Sequence, residues 1–250
     1  MNRGGANVIE FVNVSKFFEQ SFETVQALRE VSCVIPKSSF TIVFGPSGSG
    51  KSTLFNVMAG LEPPTTGRVL YEGNNIYALD SDQRANFRSR TIGMVYQSNY
   101  WINSLSVIEN VALPLMLTGY TKKQAELFAQ ESLDLIGMSQ YGRYKPFVLS
   151  GGQQQRISMA RALAPNPLVL MADEPTGNLD TKNGLMLIKI LQDLQQKYKK
   201  TVIMITHNTE YLQYSNHRLI IQDGILEQET GAFNPKTSII NKKQKQNLTN

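Results

Sequence analysis

The nine residues Gly45-Pro-Ser-Gly-Ser-Gly-Lys-Ser-Thr53 constrain this chain more than any other stretch. Before them runs Phe40-Thr-Ile-Val-Phe44, β-branched and aromatic throughout, which predicts a buried strand. After them Leu54-Phe-Asn-Val-Met-Ala59 continues as a helix that Gly60 ends. Strand, glycine loop and helix in that order make a phosphate-binding turn. Gly45, Gly48 and Gly50 let successive backbone N–H groups curl around an anion, where a β-carbon would crowd it. The helix start adds its partial positive charge at the same spot. Lys51 is expected to reach the β- and γ-phosphates of a nucleoside triphosphate, and the Ser52 hydroxyl to face Mg²⁺. Pro46, Ser47, Ser49 and Thr53 complete the loop as candidate nucleotide contacts. A flexible Gly/Ser linker would not sit between an apolar strand and an amphipathic helix.

Further along, other stretches supply partners for that loop. Leu168-Val-Leu-Met-Ala172 is a wholly apolar strand that runs into Asp173-Glu174. Beside a phosphate-binding loop, such an acidic pair predicts two roles. Asp173 holds Mg²⁺ through its water shell, and Glu174 orients and deprotonates water. Thr201-Val-Ile-Met-Ile205 is another buried strand, ending on Thr206-His207. The carboxyl ends of strands form the site in open parallel sheets, which makes His207 a candidate there rather than a structural histidine. Leu149-Ser-Gly-Gly-Gln153 stands at the start of a helix over residues 151–163. Ser150 suits the N-cap, and Gly151 and Gly152 leave N–H groups exposed at the positive end of that helix. It is a second anion-binding helix terminus.

The remaining pattern is coarse. Residues 8–14 and roughly 27–35 read as strands, 68–71 and 92–96 as short strands, and 80–90 as a helix. Between 104 and 163 the strand signals fade, and residues 107–117 and 122–136 add two helices to the one at 151. Asp180 opens a helix to about Lys197, and residues 218–222 and 225–228 form a hairpin turned by Asp223-Gly224. Phe17 and Phe18 follow the first strand and read equally as core residues or as a stacking surface for a base.

Composition sets the outer bounds. The 250 residues allow one large domain or two small ones. The one cysteine, Cys33, rules out an internal disulfide and reads as a small buried hydrophobe. No apolar run approaches the ~18 residues a membrane span requires, and Met1-Asn-Arg-Gly-Gly5 lacks the apolar stretch of a signal peptide. A cytoplasmic protein is therefore expected. Of the net charge of +5, four charges sit on Lys236, Lys242, Lys243 and Lys245, in a tail with no acidic residue. A nearly neutral body argues against a nucleic-acid groove, so no nucleic-acid partner is expected. The polar tail, residues 231–250, is expected to be disordered.

Taken together, the glycine loop, Gln97, Leu149–Gln153, Leu168–Glu174, Gly177-Asn-Leu-Asp180 and His207 resemble the nucleotide-binding subunits of ABC transporters. The likeness covers roughly residues 7–228, in motif order. It implies an α/β fold: a P-loop NTPase core sheet, an N-terminal antiparallel β subdomain and a helical insert at about 98–163, all within one domain over 1–230. It also implies ATP and Mg²⁺ as cofactors and an ATP-dependent head-to-tail homodimer. In that dimer Ser150, Gly151, Gly152 and Gln153 of one subunit bind the γ-phosphate held by the other. By the same resemblance Glu174 is the catalytic base, His207 the γ-phosphate sensor and Phe18 the adenine stacker. Gln97 links Mg²⁺ to an integral membrane permease, and Asp180 reports across the dimer interface. The subunit would sit on the cytoplasmic face of the membrane.

More narrowly, Met171–Asp180, Ile108–Leu115 and Val25–Leu28 resemble the group that exports lipoproteins, macrolides and peptides. That group includes cell-division subunits that transmit force and move no solute. Two stretches depart from the family pattern: Pro36-Lys-Ser-Ser39, and Tyr100-Trp-Ile-Asn-Ser104, where a permease would dock. Trp101 there reads equally as an exposed contact or as packing. A single motif set without a coiled coil argues against a soluble ABC protein acting on ribosomes or DNA.

Overall fold

The computed structural model describes residues 7–19 and 23–231. The basic tail lies outside the described residues from position 232 onward, as do the first six residues. The chain opens with β1 (Asn7–Glu19) and β2 (Thr24–Pro36), and β3 (Phe40–Phe44) leads through the glycine loop into α1 (Lys51–Met58). Next come β4 (Thr66–Tyr71), β5 (Asn74–Asn75), α2 (Ser81–Thr91) and β6 (Ile92–Val95). The helical stretch holds α3 (Val107–Leu117), α4 (Lys122–Leu135), two single 3₁₀ turns and α5 (Gly151–Leu163). Finally β7 (Val169–Asp173), α6 (Thr181–Gln196), β8 (Thr201–Thr206), β9 (His217–Gln222) and β10 (Ile225–Thr230) complete the described chain.

These strands form two sheets. One is antiparallel, in the order β2-β1-β4-β5. The other runs β10-β9-β3-β8-β7-β6, parallel except for the edge strand β10. This is the α/β architecture that the motifs imply.

The central strands β3, β8 and β7 are buried on both faces, as their apolar runs demand. Alternate residues point to opposite sides. Val43, Met171, Ile203, Ile205, Leu219 and Ile221 pack beneath α1 and the antiparallel sheet, with Ile9, Leu28, Leu54 and Val57. Ile42, Leu170, Ala172, Val202 and Met204 pack on the other face with α5, α6 and the helical block, including Ile157, Leu187 and Leu191. Cys33 is buried on the first side.

The first two strands run further than their sequence suggests. Phe17 and Phe18 stay in strand because they pair with Gln26 and Val25, past several register shifts in the β1–β2 ladder. Both rings are more than a third exposed, which excludes the core reading for them. The helix starts follow local chemistry closely. Asp80, Ser106, Thr121 and Ser150 each cap α2, α3, α4 and α5 in reciprocal capping boxes, and Asp180 caps α6.

Candidate functional site

At the carboxyl ends of β3 and β8 opens a cavity of about 570 Å³. Ser47, Gly48, Gly50, Lys51, Ser52 and Thr53 line it from the glycine loop, with Glu174 and His207 facing them. Val25, Gln26, Ala27 and Arg29 of β2, with Asp223 and Gly224, complete the wall.

The loop is braced from outside. Gly50 has φ +98°, and a β-carbon there would lie 2.5 Å from the Ala27 carbonyl oxygen, so glycine is required. The Asp223–Gly224 turn, with φ of 51° and 77° at its two residues, is stitched to its neighbours. Gly224 N–H donates to the Ser49 carbonyl at 2.9 Å, and Arg29 N–H donates to the Gly224 carbonyl at 2.8 Å. Lys51 is buried and turned inward, its ammonium donating to the carbonyls of Gly45 and Pro46 at 2.9 and 2.7 Å. Ser49 is buried with an unpartnered hydroxyl oxygen.

One observation bears directly on what the loop can hold. Every other α-helix has a side-chain cap, but α1 begins at Gly50 with none. Its first N–H groups have no intrahelical partner and sit at the cavity wall. A phosphate fits that donor set. Toward a metal the fit is of another kind. Among the described residues no cluster of three or more His, Cys, Asp and Glu forms a cage. A hydroxyl from Ser52 and a carboxylate from Asp173 match Mg²⁺, which keeps most of its waters and takes the rest of its ligands from substrate phosphates.

Asp173 ends β7, and burial raises its pKa, helped by the neighbouring Glu174 and opposed by the Lys51 ammonium. Glu174 follows with φ +46°, an uncommon backbone for a non-glycine residue, and its N–H donates to the Ile205 carbonyl at 3.1 Å. Its carboxylate meets the His207 imidazole at 2.8 Å. His207 is exposed on the cavity side, while Glu174 is largely covered.

Other candidates lie outside this cavity. Phe18 does not line it, although its cross-strand partner Val25 does, and the Lys16 ammonium stands 5.0 Å from the Phe18 ring. Gln97 follows β6 and lies against the turn after Glu174, where a β-carbon on Gly177 would come within 3.0 Å of its amide nitrogen. Ser150 and Gly151 form the exposed start of α5, with Gly152 buried and Gln153 half-buried behind them, and none of the four lines the cavity. There Ser150 Oγ accepts from Gln153 N–H, and Gln153 Oε1 accepts from Ser150 N–H at 2.8 Å. Asp180 accepts from the backbone and side-chain nitrogens of Asn183 at 2.8 and 2.7 Å, bonds that hold its pKa below the usual value. Asn183 in turn packs on Gly152, whose β-carbon would lie 2.9 Å from the Asn183 amide. The Ser150 and Asp180 loops are thus one contact unit.

Several residues of the site escaped the sequence reading. Gln26, Ala27 and Arg29 reach the cavity through strand register, and Asp223 read only as a turn. Trp101 proves to be packed. Its indole N–H donates to Gln154 Oε1 at 2.9 Å, and the Arg161 guanidinium lies 4.6 Å from its ring.

Comparison with known proteins agrees with this fold. Residues 28–177 match the family described as ABC transporter. An uncharacterized ABC transporter ATP-binding protein of Methanocaldococcus jannaschii is 40% identical over 217 residues, covering 87% of this chain and 96% of the relative. The lipoprotein-releasing system ATP-binding protein LolD of Acinetobacter baylyi is 38% identical, covering 87% and 96%. The macrolide export ATP-binding/permease protein MacB of Chlorobaculum tepidum is 37% identical, covering 88% of this chain and 33% of the longer relative. Among solved structures, a bacterial ABC transporter cassette in dimeric form superposes with TM-score 0.82 at 35% identity, covering 90% of this chain and 99% of the other. The same cassette is known in a post-hydrolysis state bound to ADP and Pi, at 34% identity and the same TM-score and coverage. The chain belongs to the ABC transporter family, as an ATP-binding and ATP-hydrolysing subunit.

Proposed function

We propose that this chain powers an exporter of lipoprotein, peptide or macrolide-like substrates, working as a head-to-tail homodimer on a separate integral membrane permease. The observation that carries the dimer is the separation of the two anion-binding helix starts: α1 faces the cavity, and the Ser150–Gln153 start of α5 does not. A second copy, turned head to tail, would bring its Ser150, Gly151, Gly152 and Gln153 to the γ-phosphate that the loop holds. Asp180, tied through Asn183 to Gly152, would move with that start.

Within each site Gly45–Thr53 and Lys51 grip the phosphates, and Phe18 extends the wall at the base. Ser52, Asp173 and Gln97 would hold Mg²⁺, which when bound neutralises charge on the β- and γ-phosphates. Glu174 takes the proton from the attacking water, and His207 fixes the orientation of that carboxylate while touching the γ-phosphate.

No helix among the described residues is long and apolar enough to cross a membrane. A permease partner at the cytoplasmic face supplies the path. An apolar patch supports that docking: Tyr100, Ile102, Tyr144, Phe147 and Val148 are all exposed, and Lys145 joins the two loops by donating to the Ser104 carbonyl at 2.6 Å. The exporter class rests on the names of LolD and MacB, the second of which joins ATP-binding and permease parts.

The test is a detergent pull-down of tagged Glu174→Gln protein with Mg-ATP, followed by mass spectrometry. A permease with a large extracytoplasmic domain supports the export reading. A cell-division membrane protein moves the function to force transmission without a solute. Ribosomal or DNA-repair proteins, with no membrane partner, overturn the transporter assignment.

A further inference from the structure

A second cleft, of about 520 Å³, opens where β7 and β8 begin, at the strand ends opposite the nucleotide cavity. It shares no lining residue with that cavity. We propose that this cleft binds a small soluble organic anion: an apolar ring bearing one phosphate or carboxylate group.

Two kinds of lining converge there. The floor is apolar, with Ile76, Leu168 and the edge-to-face pair Tyr71–Phe87, whose ring centroids are 5.0 Å apart. The Tyr71 hydroxyl is committed to the Met58 carbonyl at 2.8 Å, so Tyr71 contributes its ring and not a polar tip. The rim is cationic. Arg90, in the last turn of α2, forms no ion pair among the described residues. Lys200 donates to Asn166 Oδ1 at 2.6 Å and to the Pro167 carbonyl at 2.9 Å, both neutral acceptors. Its half-buried ammonium therefore lacks a compensating charge, and burial lowers its pKa. The lining carboxylate, Glu72, is already engaged with Lys37 at 3.4 Å.

A guanidinium free to make two parallel bonds, lining the same cleft as an uncompensated ammonium, selects a phosphate or carboxylate. An adjoining aromatic and aliphatic floor selects a ring over a bare ion, in a cavity whose volume suits a small molecule. The cleft also lies at the starts of the two strands whose far ends carry Asp173 and Thr206, so its occupant would pack against the elements that position the catalytic groups.

The test is isothermal titration of the full chain with phenyl phosphate, after saturating the nucleotide site with a non-hydrolysable Mg-ATP analogue. One equivalent should bind per chain, at least about tenfold more tightly than inorganic phosphate, and Arg90→Ala should weaken binding by about tenfold or more. Circular dichroism and ATPase rate of that variant should match wild type, because Arg90 touches neither the core nor the nucleotide cavity. Absence of binding up to about 10 mM overturns the proposal. So does equal affinity for phenyl and inorganic phosphate, or an affinity indifferent to Arg90. None of these outcomes depends on the permease or on the direction of transport.

Discussion

The Nδ1 atom of His207 lies 2.8 Å from Oε2 of Glu174, across the ends of two hydrogen-bonded parallel strands. The pair is set by topology: β7 and β8 are neighbours in register, so the residues just past them meet at the mouth of the loop. The other carboxylate oxygen, Oε1, lies 2.9 Å from the same nitrogen, so the imidazole grips both edges of the carboxylate and fixes its orientation.

Removing either partner should therefore spare binding and damage chemistry. Glu174→Gln is expected to bind ATP normally and to hydrolyse it at least about 100-fold more slowly. His207→Ala should lose a similar factor through a misdirected carboxylate. Single-turnover hydrolysis beside a nucleotide titration separates the effects, and wild-type turnover in Glu174→Gln would remove it as the base.

Lys51 makes two hydrogen bonds to loop carbonyls. A triphosphate offers the ammonium stronger, charged acceptors, and Lys51→Met forfeits them. Affinity for ATP should fall by about 2 kcal/mol, on the order of 30-fold. Titration with a fluorescent nucleotide reads it directly; an unchanged dissociation constant would mean that Lys51 serves the loop and not the ligand.

Trp101 is the chain's single tryptophan, which turns its packing into a spectroscopic reporter. Trp101→Phe removes the bond to Gln154 and should cost about 1 kcal/mol of stability. Arg161 donates to the Asn99 and Tyr100 carbonyls at 2.5 and 3.2 Å as well as covering the indole. Arg161→Ala should cost about 2–3 kcal/mol and red-shift the emission of Trp101 as water reaches the ring. An unmoved spectrum would show that the ring is held by its other neighbours.

Glu109 offers a test by pH. Bonds from the Ser106 backbone and hydroxyl, then Lys122, hold its pKa at about 2, against an ordinary 4.5. A depressed carboxylate pKa stabilises the fold fully above the unfolded value, and that contribution is lost as pH falls from 4.5 toward about 2. Ser106→Ala removes the cap and should cost about 1 kcal/mol at neutral pH. The gap between the urea midpoints of wild type and variant should narrow as pH falls from 4.5 toward about 2, leaving only the share due to the neutral cap. A gap as wide at pH 3 as at pH 7 would assign the whole effect to the neutral cap.

How much could be read in advance depended on how local the cause was. Phe40–Phe44 and the helices at 107 and 151 start where the sequence says they do, because apolar runs and capping side chains act within a few residues. The far halves of β1 and β2 were not legible. Phe17 and Phe18 are in strand only by pairing with Gln26 and Val25, and positive φ angles at Asn13 and Glu30 bend the ladder on the way. The glycine loop between β3 and α1 was plain in the sequence, and Ser47, Gly48 and Gly50–Thr53 of it line the cavity. The opposite wall was hidden, since Gln26 and Ala27 reach the phosphate loop through sheet register, and the Asp223–Gly224 turn through two backbone hydrogen bonds. Arg161 carried no signal at all: a helical arginine looks solvated until the loop it braces is folded over it.

The bare start of α1 has a consequence beyond binding. A helix that carries no cap of its own borrows one from whatever fills the cavity, so the native state is stabilised by mass action. At nucleotide levels about 100-fold above the dissociation constant the gain is about 2.7 kcal/mol, a large part of the margin that keeps a domain folded. Removing ATP and ADP together is then expected to lower the resistance of the protein to proteases as well as to stop its turnover.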